Sequence, residues 1–142
     1  MSALNCFQAA KRIVVKVGTS TLTYETGLVN IRRLEGLVKV LSDLANSGRQ
    51  VVLVTSGAIG VGAGKLGLRE KPSDMPSKQA AAAVGQSELM YLYDRNFGRY
   101  GHPTGQVLLT KDIVGEPARR RNAVGTFSRM LEMGASPIVN EN

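Results

Sequence analysis

Lys16 stands at the end of the β-branched run Arg12 to Val17 and passes directly into the small polar loop Gly18-Thr19-Ser20. A run of this kind reads as a strand buried on both faces of a parallel sheet. A lysine inside one is costly unless its ammonium meets an anion. The best place for it is the strand's carboxyl end, in the crevice where open α/β sheets bind ligands. A solvated reading stands beside this one, since a strand-terminal lysine can snorkel into water and Gly-Thr-Ser is ordinary turn chemistry. A second loop favours the ligand. The run Gln50 to Val54 ends in Thr55-Ser56-Gly57-Ala58-Ile59-Gly60, again small residues between a strand and a helix. Glycines let backbone N–H groups approach a phosphate or carboxylate closely, and a helix starting after the loop adds partial positive charge. Two such loops at adjacent strand ends would make one anion-binding site.

These residues need a scaffold, and the periodicity supplies it. Ile31, Leu34, Leu37, Val38, Leu41, Leu44 and Ala45 recur at helical spacing, with Asn30 as a cap and Gly48 where a helix stops. Strand, helix and strand over Arg12 to Val54 make a βαβ unit, which implies a parallel pair. A second helix starts near Gly57 and fades in the polar, proline-bearing stretch Arg69 to Pro76. Ser77 offers a cap for a long helix to about Tyr100, whose stripe of Leu89, Tyr93, Phe97 and Tyr100 reads as core packing. Gly105 to Leu109 reads as a strand, Pro117 to Met133 as a helix, and Pro137 to Val139 as the start of a last strand. The order βαβααβαβ predicts an α/β fold with a mostly parallel sheet. Residues 1–10 carry little pattern and are expected to form a flexible amino-terminal segment.

Other motifs fail their structural context. Gly62-Ala63-Gly64-Lys65-Leu66-Gly67 fits G-x-G-x-x-G but lies inside a predicted helix, not in the turn leaving a strand. The same stretch lacks the Ser or Thr and the first glycine of a P-loop. His102 has no second His or Cys cluster nearby in sequence and reads as a surface histidine. Arg119-Arg120-Arg121 reads as a solvated helix face, Met130 and Met133 as core filling, and the alanines before Gly85-Gln86 as a close helix contact. Gln86 facing the site is a weaker alternative.

The chain has 142 residues, enough for one domain without staples. Its net charge of +7 suits anionic substrates as well as nucleic acid. The single cysteine, Cys6, and the absence of a leader pattern or of a long apolar run point to a reducing, cytoplasmic setting.

Five blocks taken in order resemble the glutamate 5-kinases of the amino acid kinase family: Val14 to Ser20, Val54 to Ile59, Ser77-Lys78-Gln79 with Ala83 to Gln86, Gly105 to Thr110, and Pro137 to Asn142. The Thr-Ser-Gly-Ala loop and the lack of a Gly-Gly pair after Lys16 separate the chain from the acetylglutamate kinase and aspartokinase branches. The resemblance implies a three-layer α/β/α sandwich with a mostly parallel sheet, incomplete in this chain, with residues 11–142 as the amino-terminal portion of an amino acid kinase domain. It also implies ATP-dependent phosphorylation of the L-glutamate γ-carboxylate, the first step of proline synthesis, with proline as a feedback inhibitor. On that basis Lys16 is catalytic and, with Gly18 and Thr19, binds the phosphates of ATP. Ser56, Gly57, Ala58 and Asn140 bind glutamate. No metal ligand is assigned, and Mg²⁺ is held largely by residues beyond those present.

The family's last motif continues past Asn142 with an aspartate, then with further acidic residues, a second lysine and the adenosine-binding half. These 142 residues alone are therefore expected to be inactive, although the full protein is expected to be a homo-oligomeric kinase that engages neither nucleic acid nor membrane. Two other classes compete with it. One is a glutamate- or proline-binding module without catalysis, and the other is nucleic-acid binding driven by charge.

Overall fold

The computed structural model describes residues 2–140. Among them four parallel strands form one sheet: β1 (Arg12–Val17), β2 (Gln50–Thr55), β3 (Thr104–Leu108) and β4 (Ser136–Asn140), in the spatial order β1-β2-β4-β3. Leu53 and Ile138 are paired in register, as are Val54 with Val139 and Thr55 with Asn140. The insertion of β4 between β2 and β3 therefore carries the end of the described chain to the middle of the sheet.

Alternation along the strands sorts the helices into two layers. Val17, Val51, Leu53 and Ile138 point to one face, where they pack with Leu34, Val38 and Leu41 of α3 (Ile31–Asn46) and Leu89, Tyr93 and Phe97 of α5 (Met75–Gly98). Val52, Val54, Val107 and Val139 point to the other, under Phe127 and Leu131 of α7 (Pro117–Glu132). The result is the expected three-layer α/β/α arrangement. The three α5 side chains in the first core are no more than 1% exposed, a burial contributing about 1.5–3 kcal/mol for each large apolar group.

The tightest joint lies between α4 (Ala58–Lys65) and α5. A Cβ on Gly85 would sit 1.6 Å from the Ala58 carbonyl oxygen, and one on Gly62 would sit 1.7 Å from that of Ala81. Gly62 of the rejected dinucleotide pattern thus serves backbone contact, and the alanine run does mark close helix packing. Gly64 in turn lies against Gly27, where a Cβ would meet the Gly27 carbonyl at 2.5 Å.

Several boundaries differ from the sequence reading. Asp74, not Ser77, caps α5: its carboxylate accepts the Ser77 N–H at 2.9 Å, which lowers its pKa, and Pro76 fits the first turn. Tyr100 falls beyond the helix and is exposed, and Met133 is 70% exposed because α7 ends one residue before it. Met130 does pack, with its methyl group over Gly105. Three short helices carried too little periodicity to be read: α1 (Ala3–Ala9), capped by Ser2 and wholly exposed, α2 (Thr19–Leu22) and α6 (Lys111–Gly115). No helix is long and apolar enough to cross a membrane among the described residues.

Candidate functional site

Parallel pairing puts the two glycine-bearing loops side by side. Lys16 is in register with Val54 and Val17 with Thr55, so β1 and β2 end together. The Ser56 N–H then donates to the Val17 carbonyl at 3.2 Å. Beyond β1, Gly18 stays extended and Thr19 opens the single turn of α2. Beyond β2, Gly57 turns the chain into α4 at φ +107°, in the left-handed region that favours glycine. A side chain there would also press on Thr19, whose Oγ1, Cα and Cβ lie 3.1–3.3 Å from the Cβ position. Gly60 faces the Thr19 methyl in the same way, at 3.0 Å. The loops touch, and the glycines are what allow it.

Asn140 arrives from β4, in register with Thr55. It is 3% exposed, and its Oδ1 has no hydrogen-bond partner. Unpaired buried acceptors are uncommon because each carries an uncompensated desolvation cost. Beside it the Thr55 hydroxyl lies 3.4 Å from the Tyr93 hydroxyl. Burial pushes the Tyr93 phenol up to about 12 against a smaller opposing effect of Thr55, so this floor is polar and uncharged at neutral pH.

The structure therefore brings Lys16, Gly18, Thr19, Ser56, Gly57, Ala58 and Asn140 to one carboxyl edge of the sheet. Ala58 is buried, Ser56 and Gly57 are half-buried, and Lys16 is exposed on the same face as Arg12 and Val14. Lys16 and Asn140 stand on strands separated by β2, two strand spacings or about 10 Å apart. A cationic end and an orphan acceptor that far apart suit an elongated ligand lying across the strand ends.

Two neighbouring surfaces were not anticipated. A cavity of about 740 Å³ beside Thr19 is lined by hydroxyls of Ser20, Thr23 and Thr26 and by Arg69 and Lys71. The density of Thr and Ser after Lys16 was its sequence signal. A second cavity, of about 610 Å³, runs from Val54 and Asn140 to Thr110 and Lys111. Here Thr110 and Lys111 follow the end of β3, so a second lysine stands at the carboxyl edge of the sheet.

Other basic and titratable groups lie elsewhere. Arg119 is paired with Asp112 at 2.7 Å and with Glu116 at 3.0 Å, and Arg120 and Arg121 are exposed. His102 is half-buried, not a surface residue as its sequence context suggested. Its Nε2 lies 2.6 Å from the Ser136 hydroxyl and its ring rests against Phe97, at the opposite end of β4 from Asn140. Burial lowers its pKa. Among the described residues no group of three or more His, Cys, Asp or Glu side chains could hold a metal ion.

Comparison with known proteins gives the chain a family. A family model described as the amino acid kinase family matches residues 11–142. Over 133 residues the chain is 57% identical to the glutamate 5-kinase of Clostridium perfringens and 56% identical to that of Listeria welshimeri, covering 94% of this chain and 49% and 48% of those proteins. The glutamate 5-kinase of Moorella thermoacetica is 55% identical over the same length, 35% of its own. The chain thus spans half or less of the length of the curated relatives it matches. An X-ray structure of isopentenyl phosphate kinase superposes with a TM-score of 0.59 over 92% of this chain and 57% of that one, at 16% identity, which speaks to fold alone.

Proposed function

The chain belongs to the amino acid kinase family, and from that premise we propose that the protein carrying it phosphorylates the γ-carboxylate of L-glutamate with ATP, giving L-glutamyl 5-phosphate for proline synthesis. The names of its relatives support the substrate. The observation that carries the reading is the contact between the Lys16–Thr19 and Ser56–Ala58 loops, with Asn140 beside them.

The chemistry asked of these residues is modest. A glutamate carboxylate is already ionised at neutral pH, so no side chain need remove a proton from it. One of its oxygens bonds to the γ-phosphorus as the bond to the β–γ bridging oxygen breaks, and ADP leaves with that electron pair. The protein's task is alignment and charge neutralisation. Lys16 offsets charge on the equatorial phosphoryl oxygens, and amides around Gly18 and Thr19 hold the phosphates. Ser56, Gly57 and Ala58 position glutamate, with Asn140 reaching it from β4. Mg²⁺ accompanies the nucleotide in this proposal. The described residues offer no acidic cage for it, so none of these steps is assigned to the metal.

Proline as feedback inhibitor, a homo-oligomeric state and a cytoplasmic location complete the proposal. The 142 residues alone are proposed not to turn over, since they span half or less of the length of the kinases they match. One feature favours binding without catalysis as a second reading: among the described residues an amino acid meets unsatisfied polar atoms, while no group of three or more His, Cys, Asp or Glu side chains gathers to hold a metal. The discriminating experiment traps acyl phosphate with hydroxylamine. The full gene product should form γ-glutamyl hydroxamate dependent on ATP and L-glutamate, whereas glutamate binding with no hydroxamate would favour the module.

A further inference from the structure

Helix α5 carries one polar side chain that packing alone does not explain. Gln86 lies on the stripe formed by Ala82, Leu89, Met90 and Tyr93, all of which pack into the core beneath α5. Both ends of its carboxamide, Oε1 and Nε2, are buried without a hydrogen-bond partner. A residue at such a position needs only apolar bulk, and an unsatisfied amide there costs free energy that leucine or methionine would not.

Its height along the helix suggests where the missing partner comes from. Tyr93 reaches the last residue of β2 through Thr55. Gln86 lies seven residues nearer the helix start, about 10 Å along the axis. In the same turn Gly85 is pressed against the carbonyl of Ala58, the last residue of the substrate loop and the first of α4. Gln86 is thus carried beyond the strand ends, on the face of the sheet that Thr55 and Asn140 share.

On that edge two acceptors, Gln86 Oε1 and Asn140 Oδ1, and one donor, Gln86 Nε2, are unsatisfied together. An L-amino acid offers the complement: an ammonium with three donors beside a carboxylate that accepts. Resting on the phosphotransfer reading above, we propose that Gln86 is a further substrate-binding residue, its carboxamide recognising the α-ammonium and α-carboxylate of glutamate while the γ-carboxylate lies toward Lys16. In the sequence Gln86 facing the site is the weaker alternative to a helix contact. Its signal was a polar residue on an apolar stripe.

The test uses the full gene product, with Gln86→Leu and the unbranched Gln86→Met as paired variants. Both should raise KM for L-glutamate about tenfold, leaving kcat and KM for ATP within about twofold. Thermal stability without ligand should hold or rise, because the orphaned amide is gone, while the added stability conferred by saturating glutamate should shrink. An unchanged glutamate KM beside an active unaltered protein would overturn this inference alone. So would a lowered melting temperature with parallel losses for both substrates, the mark of a structural role. No glutamate turnover in the unaltered protein would overturn both this inference and the reading it rests on.

Discussion

The two faces of the sheet are covered in opposite halves. Over β1 and β2, one face is sealed by α3 and α5, and its core side chains Val51, Leu53, Leu89 and Tyr93 are at most 1% exposed. The other face is covered by α7 around β4 and lies open over β1, where Arg12, Val14 and Lys16 all reach solvent. The same strands thus serve two purposes. Their sealed side fixes where the loops begin, and their open side presents the lysine those loops surround. A change in the packed core of the sealed side should therefore act through stability, and one at the carboxyl edge, where Lys16, Ser56, Gln86 and Asn140 lie, through kinetics with the fold unmoved.

Gly85→Val should break the sealed side most severely. Its first added carbon would already lie 1.6 Å from the Ala58 carbonyl, and helix separation should cost about 3 kcal/mol or more. Loss of soluble protein or a large fall in melting temperature is expected, and a normal melting curve would show that the α4–α5 joint does not hold the substrate loop. Ser56→Ala, at the carboxyl edge, should raise KM for glutamate about tenfold with an unchanged melting temperature. A change confined to ATP would reverse the roles given to the two loops. Tyr93→Phe should be milder, about 1 kcal/mol of stability with kinetic constants retained, since it removes only the 3.4 Å contact to Thr55.

The smallest effect concerns His102, far from the site. Burial lowers its pKa from the ordinary 6.5, so folding disfavours the charged form. The stability it contributes is full above about pH 6.5 and is lost as pH falls through the lowered folded value. Melting temperature should decline as pH falls from about 6.5 toward that lowered value, and His102→Gln should flatten the decline while leaving glutamate kinetics near neutrality unchanged. An unaltered slope in the variant would remove His102 as its cause.

What sequence could reveal follows the same division. The β-branched runs, the stripe on α3 and the two small-residue loops were legible because period and turn chemistry are local properties. The convergence of Asn140 with Thr55 was not, because it depends on β4 entering between β2 and β3, a choice no local pattern encodes. Ser77 reads as the cap because hydroxyls cap well, but Asp74, three residues earlier, accepts the Ser77 amide itself. The stripe was right through Phe97 and failed at Tyr100, where the helix had already ended at Gly98. His102 looked solvated because its partner, Ser136, lies 34 residues away in sequence.

The most direct test of the carboxyl edge compares Lys16→Ala with the unaltered full gene product, measuring hydroxamate formation and glutamate affinity on the same samples. Because Lys16 is exposed and acts on charge that develops during transfer, kcat should fall by about 10²–10³ with melting temperature and glutamate affinity nearly intact. Undiminished kcat would contradict the assignment of Lys16 and, with it, the account of this edge as a phosphoryl-transfer site.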